Sequence, residues 1–203
     1  MGGGPAFKKV SRKNRHTDIY KVAIQNKDYE ILLVDDSIFQ FSIENYTLRY
    51  AFIQNPRLFI NKEDFLTYLY TAEYLLSFTE DELVELQNSI NEEDYEQYLN
   101  EQDLNLEAQI IRYDLDLNGY DPLIHSCSHI HIGLNTNLRI PCSKILTPLN
   151  FIFFSVKHTY YKEWKAGIYE ESMQIQLKDS KRASLELPKS QWIEKETYEF
   201  YLH

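Results

Sequence analysis

The strongest constraint on the fold is a block of three short β-rich runs near the start of the chain. They span residues 29–34, 38–43 and 46–52, and the connections between them are short and polar. Short runs of β-branched and aromatic residues joined by such turns predict an antiparallel meander.

A helical segment follows this meander. Asn61 with Asp64 and Thr79 with Glu82 have the spacing of N-caps and capping boxes, and a weaker acidic helix begins at Asn91. We therefore expect a helical acidic insert over about residues 61–104, between two β sections.

The second β section starts near residue 106 and returns through residues 125–133. Asn118-Gly119 offers the positive φ angles of a tight hairpin, whereas Pro122 argues for a longer loop, so the register stays open.

The C-terminal third opens with a helix. Thr147 and Pro148 mark its start and Gly167 its end. Residues 168–203 alternate enough between apolar and polar to suggest a terminal hairpin.

The expected architecture is α+β, with a mostly antiparallel sheet and helices on one face. Residues 1–27 form a basic flexible N-terminal segment, and residues 28–167 form a single domain that contains the insert. Residues 168–203 form a β-rich extension packed on that domain.

Charge is unevenly distributed along the 203 residues, although the net charge is −10. Residues 1–27 carry seven Lys or Arg and one acid, whereas residues 63–111 carry fourteen acids and no base. The acidic stretch is either a solvated helical face or a surface that docks a basic protein partner.

Composition also limits the location of the protein. No run approaches the roughly eighteen apolar residues of a membrane helix, and the two cysteines do not resemble a secreted disulfide framework. We expect a soluble, cytoplasmic protein with reduced thiols and no membrane contact.

Chemical side chains are concentrated in one short segment. His125, Cys127, His129 and His131 occupy alternate positions, and alternate side chains of a strand leave by one face. The four should share a face, with Ile130 and its neighbour Ile132 on the other.

Zinc is one interpretation of this segment, because zinc takes imidazole nitrogen and thiolate sulfur. Four alternate residues spread over about 20 Å of strand and cannot all reach one ion. If a metal binds, its ligands would come from His129, His131, Cys127 and Cys142. A calcium loop starting at Asp114 is disfavoured, because a histidine stands where the bidentate Glu is required.

Metal-free acid–base chemistry is the second interpretation. His129 and His131 would carry protons, Arg112 and Arg139 would bind phosphate, and Asp114 would orient an imidazole. His125 completes this set of candidate catalytic residues. The structural alternative is that these histidines are satisfied hydrogen-bonding groups in a half-buried strand. The sequence has no Gly-rich phosphate loop, nucleophile elbow or paired CxxC motif.

Several of these segments together resemble the bacterial domain of unknown function 2290 (DUF2290) family. The resemblance rests on residues 29–41, Arg112-Tyr113-Asp114, residues 125–133, Arg139-Ile140-Pro141 and the Phe-rich helix after them. It implies that five residues of the chain match the family motif, namely His125, Ser128, His129, His131 and Arg139. Ser126 and Cys127 stand where the family usually has Pro and Ala, which implies that Cys127 is not an essential ligand.

The Arg-Tyr-Asp strand followed by a His-x-His strand is also similar to small growth-inhibiting toxins of toxin–antitoxin pairs. We therefore expect a toxin-like or phage-defence effector that cleaves RNA by His-based acid–base chemistry without a cofactor. The alternative is a non-catalytic subunit of a defence or toxin–antitoxin assembly, docked through the acidic helices. Net acidity favours the subunit, because RNA binding normally needs a positive surface. The His cluster favours the enzyme.

Overall fold

A six-stranded antiparallel sheet forms the centre of the computed structural model, which describes residues 16–58, 61–102, 108–134 and 138–203. The strands pair in chain order: β1 (Ile31–Leu32), β2 (Ile38–Glu44), β3 (Thr47–Ile53), β4 (Ile110–Leu115), β5 (Ser128–Ile132) and β6 (Ile140–Pro141). The predicted α+β class and the antiparallel meander are confirmed.

One face of the sheet is apolar and packs against helix α6 (Pro148–Thr159). The Phe151 ring of this helix lies 6.1 Å from Phe39 and 5.7 Å from Tyr50, measured between ring centroids. The Thr147 side chain caps the helix by accepting from Asn150 N, which confirms the predicted start. The helix ends at Thr159, and a separate helix α7 (Tyr161–Gly167) continues to the predicted glycine.

Helix α1 (His16–Gln25) packs on the opposite face, at one end of the sheet. Its residues Ile19 and Ala23 form a second apolar cluster with Ile38, Ile53 and Ile110, which point away from α6. Part of the segment expected to be flexible is therefore a packed helix. Residues 1–15 lie outside the described residues.

The acidic insert is helical, as predicted. It consists of α2 (Lys62–Leu69), α3 (Ala72–Leu75), α4 (Glu80–Asn88) and α5 (Glu92–Gln102), and capping boxes open α2 and α4 at the expected residues. Aromatic rings hold the insert together, with Phe65 and Tyr98 centroids 5.0 Å apart. The two ends of the insert meet, because Gln54 N donates to Gln109 O at 3.0 Å.

The connection between β4 and β5 is a long loop, as Pro122 indicated. The Asp116 carboxylate accepts from the backbone N of Asn118 and of Gly119, so this turn forms without positive φ angles at those two residues. The tight hairpin is therefore absent, and the positive φ in the loop falls at Leu123.

The prediction of a β-rich C-terminal extension is wrong. The main element of residues 168–203 is helix α8 (Glu171–Ala183). The short strand β8 (Leu185–Glu186) follows it and pairs with β7 (Lys144–Ile145). A 3₁₀ helix at Glu194–Tyr198 lies near the end of the chain. Met173 and Leu177 alternate with glutamines, but they are also four residues apart. With the buried Ser180 they form one helical face toward the protein.

No helix in the described part of the chain combines the length and the apolar character that crossing a membrane requires.

Candidate functional site

The register between β4 and β5 builds the candidate site. Asp114 lies directly opposite His129, and Arg112 lies opposite His131. Because directly paired residues of an antiparallel sheet share a face, the four side chains form a two-by-two block on the face away from α6. We call these four residues the histidine block. The prediction that His129 and His131 share a face opposite Ile130 is confirmed, since Ile130 is in the apolar core.

The histidine block lies in a groove of about 1420 Å³ on this face of the sheet. Ile19 of helix α1 and Asn26, just after that helix, border one side of the groove. The small Ala51 of β3 lies opposite Arg112 of β4. All candidate catalytic residues from the sequence line this groove, namely His125, His129, His131, Arg112, Asp114 and Arg139. The fold therefore brings the six together, and their roles stay predictions.

Backbone carbonyls fix both rings of the block. His129 Nδ1 lies 2.8 Å from Ser126 O, and His131 Nδ1 lies 2.9 Å from Leu138 O. A carbonyl oxygen only accepts, so each Nδ1 must carry the hydrogen and donate it. The nitrogen left for chemistry in each ring is Nε2.

The Asp114 carboxylate contacts His131 of the histidine block and Arg49 of the neighbouring strand β3. Its Oδ2 lies 3.5 Å from His131 Nε2, and its Oδ1 lies 3.7 Å from Arg49 Nε. Burial raises the pKa of the Asp114 carboxyl, but the hydrogen bond from His131 and the charge of Arg112 outweigh it and hold the pKa below its usual value. Asp114 is therefore a carboxylate at neutral pH.

His129 is a neutral imidazole. It exposes only 2% of its surface, and this burial lowers its pKa to about 4 despite the opposing hydrogen bond to Ser126 O. Because the hydrogen is on Nδ1, Nε2 of His129 carries a lone pair at neutral pH. That nitrogen is equipped to accept a proton or to bind a metal ion.

His125 belongs to the loop before β5. Its ring centroid lies 5.1 Å from that of His129, and its backbone N donates to Asp121 O at 2.8 Å. The buried Nδ1 atom of His125 has no hydrogen-bond partner among the described residues. His125 therefore lies beside the histidine block with a ring nitrogen unused by the fold.

The cysteines do not belong to the site. Strand β5 begins at Ser128, so the alternation of side chains does not extend to Cys127, and both Cys127 and Cys142 lie in the apolar core. The expectation that Cys127 shares the histidine face is therefore wrong. Burial raises the thiol pKa to about 11 in Cys127 and about 12 in Cys142, which keeps both protonated.

Among the described residues, the group that could hold a metal ion differs from the predicted set. One ligand atom from each of Asp114, His129 and His131 lies within 4.8 Å of the others. Asp114 thus takes the place that the sequence analysis gave to the thiols.

The sequence analysis missed Arg49, which forms an ion pair with Asp114. The sequence could have predicted the position of Arg49. Residues 48–52 alternate, so Arg49 and Ala51 face away from the aromatic side chains of this strand. The carbonyls of Ser126 and Leu138 were not predictable, because they contact the rings through the shape of two loops.

No curated protein and no solved structure is significantly similar to the chain. The similarity to toxins of toxin–antitoxin pairs therefore stays a prediction. A family model described as "Uncharacterized conserved protein (DUF2290)" matches residues 5–200, which include the whole groove and every candidate residue. The chain belongs to the DUF2290 family.

Proposed function

We propose that the protein is a toxin-like or phage-defence effector that cleaves RNA at the histidine block. The observation that carries this proposal is the fixed state of the two imidazoles. Both have Nδ1 committed to a backbone carbonyl, and His131 Nε2 contacts a carboxylate on the floor of an open groove. A base and an acid positioned at one centre are what this reaction needs.

The reaction is an attack by the RNA on itself. The 2′-oxygen bonds to the adjacent phosphorus, and the bond from phosphorus to the 5′-oxygen of the next nucleotide breaks. The 2′-hydroxyl proton goes to the base, and the acid gives a proton to the leaving 5′-oxygen. The products are a 2′,3′-cyclic phosphate and a 5′-hydroxyl, with no external reactant.

His129 is the base in this proposal, because its free Nε2 carries a lone pair. His131 is the acid. Its Nδ1 donates to Leu138 O, so the proton that it gives to the leaving oxygen is carried on Nε2, 3.5 Å from Asp114 Oδ2. Asp114 is a positioning residue that orients this ring.

Arg112 and Arg139 are the proposed phosphate contacts. Guanidinium groups bind phosphate in a bidentate way and stabilise the negative charge that develops on it. The described residues that line the groove include four Lys or Arg and five Asp or Glu, so this lining is not basic. RNA binding would therefore depend on contacts at the scissile phosphate more than on a broad positive surface.

Expression in bacterial cells tests this proposal. Wild type should arrest growth and degrade RNA, whereas His129→Ala and His131→Ala should do neither at equal protein levels. His158→Ala, on the exposed side of α6, is the matched control and should behave as wild type. Equal harmlessness of wild type and both variants, with any cognate partner deleted, contradicts the proposal.

A second candidate function is a non-catalytic subunit of a defence or toxin–antitoxin assembly. The acidic insert supports it, because residues 61–102 contain twelve Asp or Glu and one base, Lys62. Lys62 is itself paired with Glu92 at 2.7 Å, so its charge is already compensated. A basic protein partner is the complement to such a surface.

Neither candidate function uses a cofactor as a reactant. Zinc, the alternative raised by the sequence, would bind the same nitrogen atoms that the proposed RNA cleavage uses.

A further inference from the structure

The groups of the histidine block fit a second ligand besides RNA. We infer that Asp114, His129 and His131 bind one divalent transition-metal ion of the zinc class, and that the ion-bound chain does not cleave RNA. The first half of this inference stands on geometry alone, and the second half rests on the proposed function. The ion would act as a reversible inhibitor of the site.

The three ligands are close enough for one ion. Their ligand atoms lie within 4.8 Å of one another, and the contact between His131 Nε2 and Asp114 Oδ2 is 3.5 Å. A tetrahedral ion with bonds of about 2.1 Å needs ligand atoms about 3.4 Å apart. Small side-chain rotations therefore complete the site, and the strand pairing does not have to change.

The donor types select the class of ion. Two imidazole nitrogens and one carboxylate are borderline ligands that suit zinc, cobalt and nickel, whereas magnesium and calcium prefer sites made of oxygen. Three protein ligands also leave positions open toward the groove. The thiols that would favour a closed structural zinc site are in the core.

The surroundings of both rings match those of metal ligands. Metal-binding histidines usually donate their second ring N–H to a backbone carbonyl or a carboxylate, which fixes the ring and keeps the other nitrogen available. Ser126 O and Leu138 O provide this contact for His129 and His131. Both rings are at most 4% exposed, so the site is already ordered before an ion arrives.

The Nε2 atoms of His129 and His131 explain why binding and cleavage exclude each other. With Nδ1 of His131 committed to Leu138 O and Nδ1 of His129 to Ser126 O, Nε2 is the ring nitrogen left in each residue. The proposed cleavage uses these two nitrogens for proton transfer. A metal ion held by both of them and by Asp114 would occupy the same atoms, so that the two uses of the site exclude each other.

Metal binding is tested on the full chain after removal of metals with a chelator. Isothermal titration with zinc, and the visible spectrum with cobalt, should give one ion per chain. Asp114→Asn, His129→Ala and His131→Ala should each weaken binding by more than the ten- to hundredfold lost with an outer-shell contact. His158→Ala should bind as wild type, magnesium should not bind, and circular dichroism checks that each variant is folded.

Cleavage of a single-stranded RNA is followed in the same titration. Activity should fall in proportion to zinc occupancy and return when the chelator is added. The inference is overturned if zinc does not bind, if the three variants bind zinc as wild type does, or if the zinc-loaded chain is the more active form. A chain that binds zinc at these residues but never cleaves RNA keeps the metal site and removes the proposed function.

Discussion

At the scale of single residues, the chemistry of the site depends on which ring nitrogens of the two histidines already make hydrogen bonds within the fold. The two ring nitrogens bound to Ser126 O and Leu138 O are unavailable, so the chemistry of His129 and His131 is restricted to Nε2. Neighbouring charge then distinguishes the two rings, because Asp114 contacts His131 directly. The two histidines of β5 thus keep the same ring nitrogen free but have different neighbours.

A residue-scale prediction concerns Tyr113, which lies on the neighbouring strand β4 and faces the apolar core. Tyr113 Oη accepts from Leu146 N at 3.1 Å and donates to Ser128 Oγ at 3.0 Å, since the Ser128 hydroxyl gives its own hydrogen to Lys144 O. Tyr113 and Ser128 are fully buried. Tyr113→Phe removes both hydrogen bonds of the phenol and takes the acceptor from Leu146 N, and it should reduce the free energy of unfolding by about 1–3 kcal/mol.

Denaturant unfolding measures this change, and Tyr169→Phe is the matched control because Tyr169 is 82% exposed. The control should alter stability by less than about 0.5 kcal/mol. A Tyr113→Phe protein as stable as the control would show that these hydrogen bonds contribute no stability.

At the scale of elements, the sequence predicted those helices whose ends depend on neighbouring residues. It did not predict the elements that depend on contacts between distant parts of the chain. Asn61 and Thr79 correctly predicted the starts of two helices. Each forms a capping box with a residue only three positions later, so the pattern can be read from the sequence. Helix α8 was missed because its apolar residues fit both a strand and a helix over five residues, and only tertiary contacts distinguish the two.

The candidate site also combines features that the sequence predicted with features that it did not. Alternation correctly put His129 and His131 on one face, but it did not give the pairing that brings Asp114 and Arg49 beside them. Register depends on which strands pair, and the long loop between β4 and β5 left that open. The error at Cys127 arose because the strand starts one residue later, at Ser128.

An element-scale prediction concerns removal of the acidic insert. Its two ends are joined by reciprocal hydrogen bonds, Gln54 N to Gln109 O and Gln109 N to Gln54 Oε1, each 3.0 Å long. A short Gly-Asn linker in place of residues 57–106 should therefore leave β3 and β4 paired. Because the histidine block lies on β4 and β5, the shortened chain should still bind zinc.

Thermal unfolding and zinc titration of the shortened chain test this prediction. A single cooperative transition and one ion per chain are expected. Loss of the transition would mean that the insert is needed for the sheet to fold.

At the scale of the whole molecule, charge separates the two candidate functions. The net charge of −10 repels nucleic acid, and twelve of the acids lie in residues 61–102 of the insert, none of which is among the described residues that line the groove. The insert should therefore determine protein partners, while the groove determines the chemistry.

Salt dependence provides the whole-molecule prediction. A basic partner held by the insert, such as the product of a neighbouring gene, should bind more weakly as salt rises from about 50 mM to 500 mM, because the Debye length falls below 10 Å. Surface plasmon resonance measures the affinity, with the shortened chain as the control for the insert. Affinity that is unchanged by salt, or retained by the shortened chain, contradicts electrostatic docking.

The products that the purified protein makes from RNA show whether the imidazoles of the histidine block cleave it. Purified metal-free chain is incubated with a defined single-stranded RNA in the presence of EDTA, and the ends of the products are identified. Wild type and His158→Ala should produce 2′,3′-cyclic phosphate and 5′-hydroxyl ends, and His129→Ala or His131→Ala should be slower by about a hundred- to ten-thousandfold. Intact RNA with wild type, or cleavage at the same rate by all four proteins, would contradict cleavage by these two histidines.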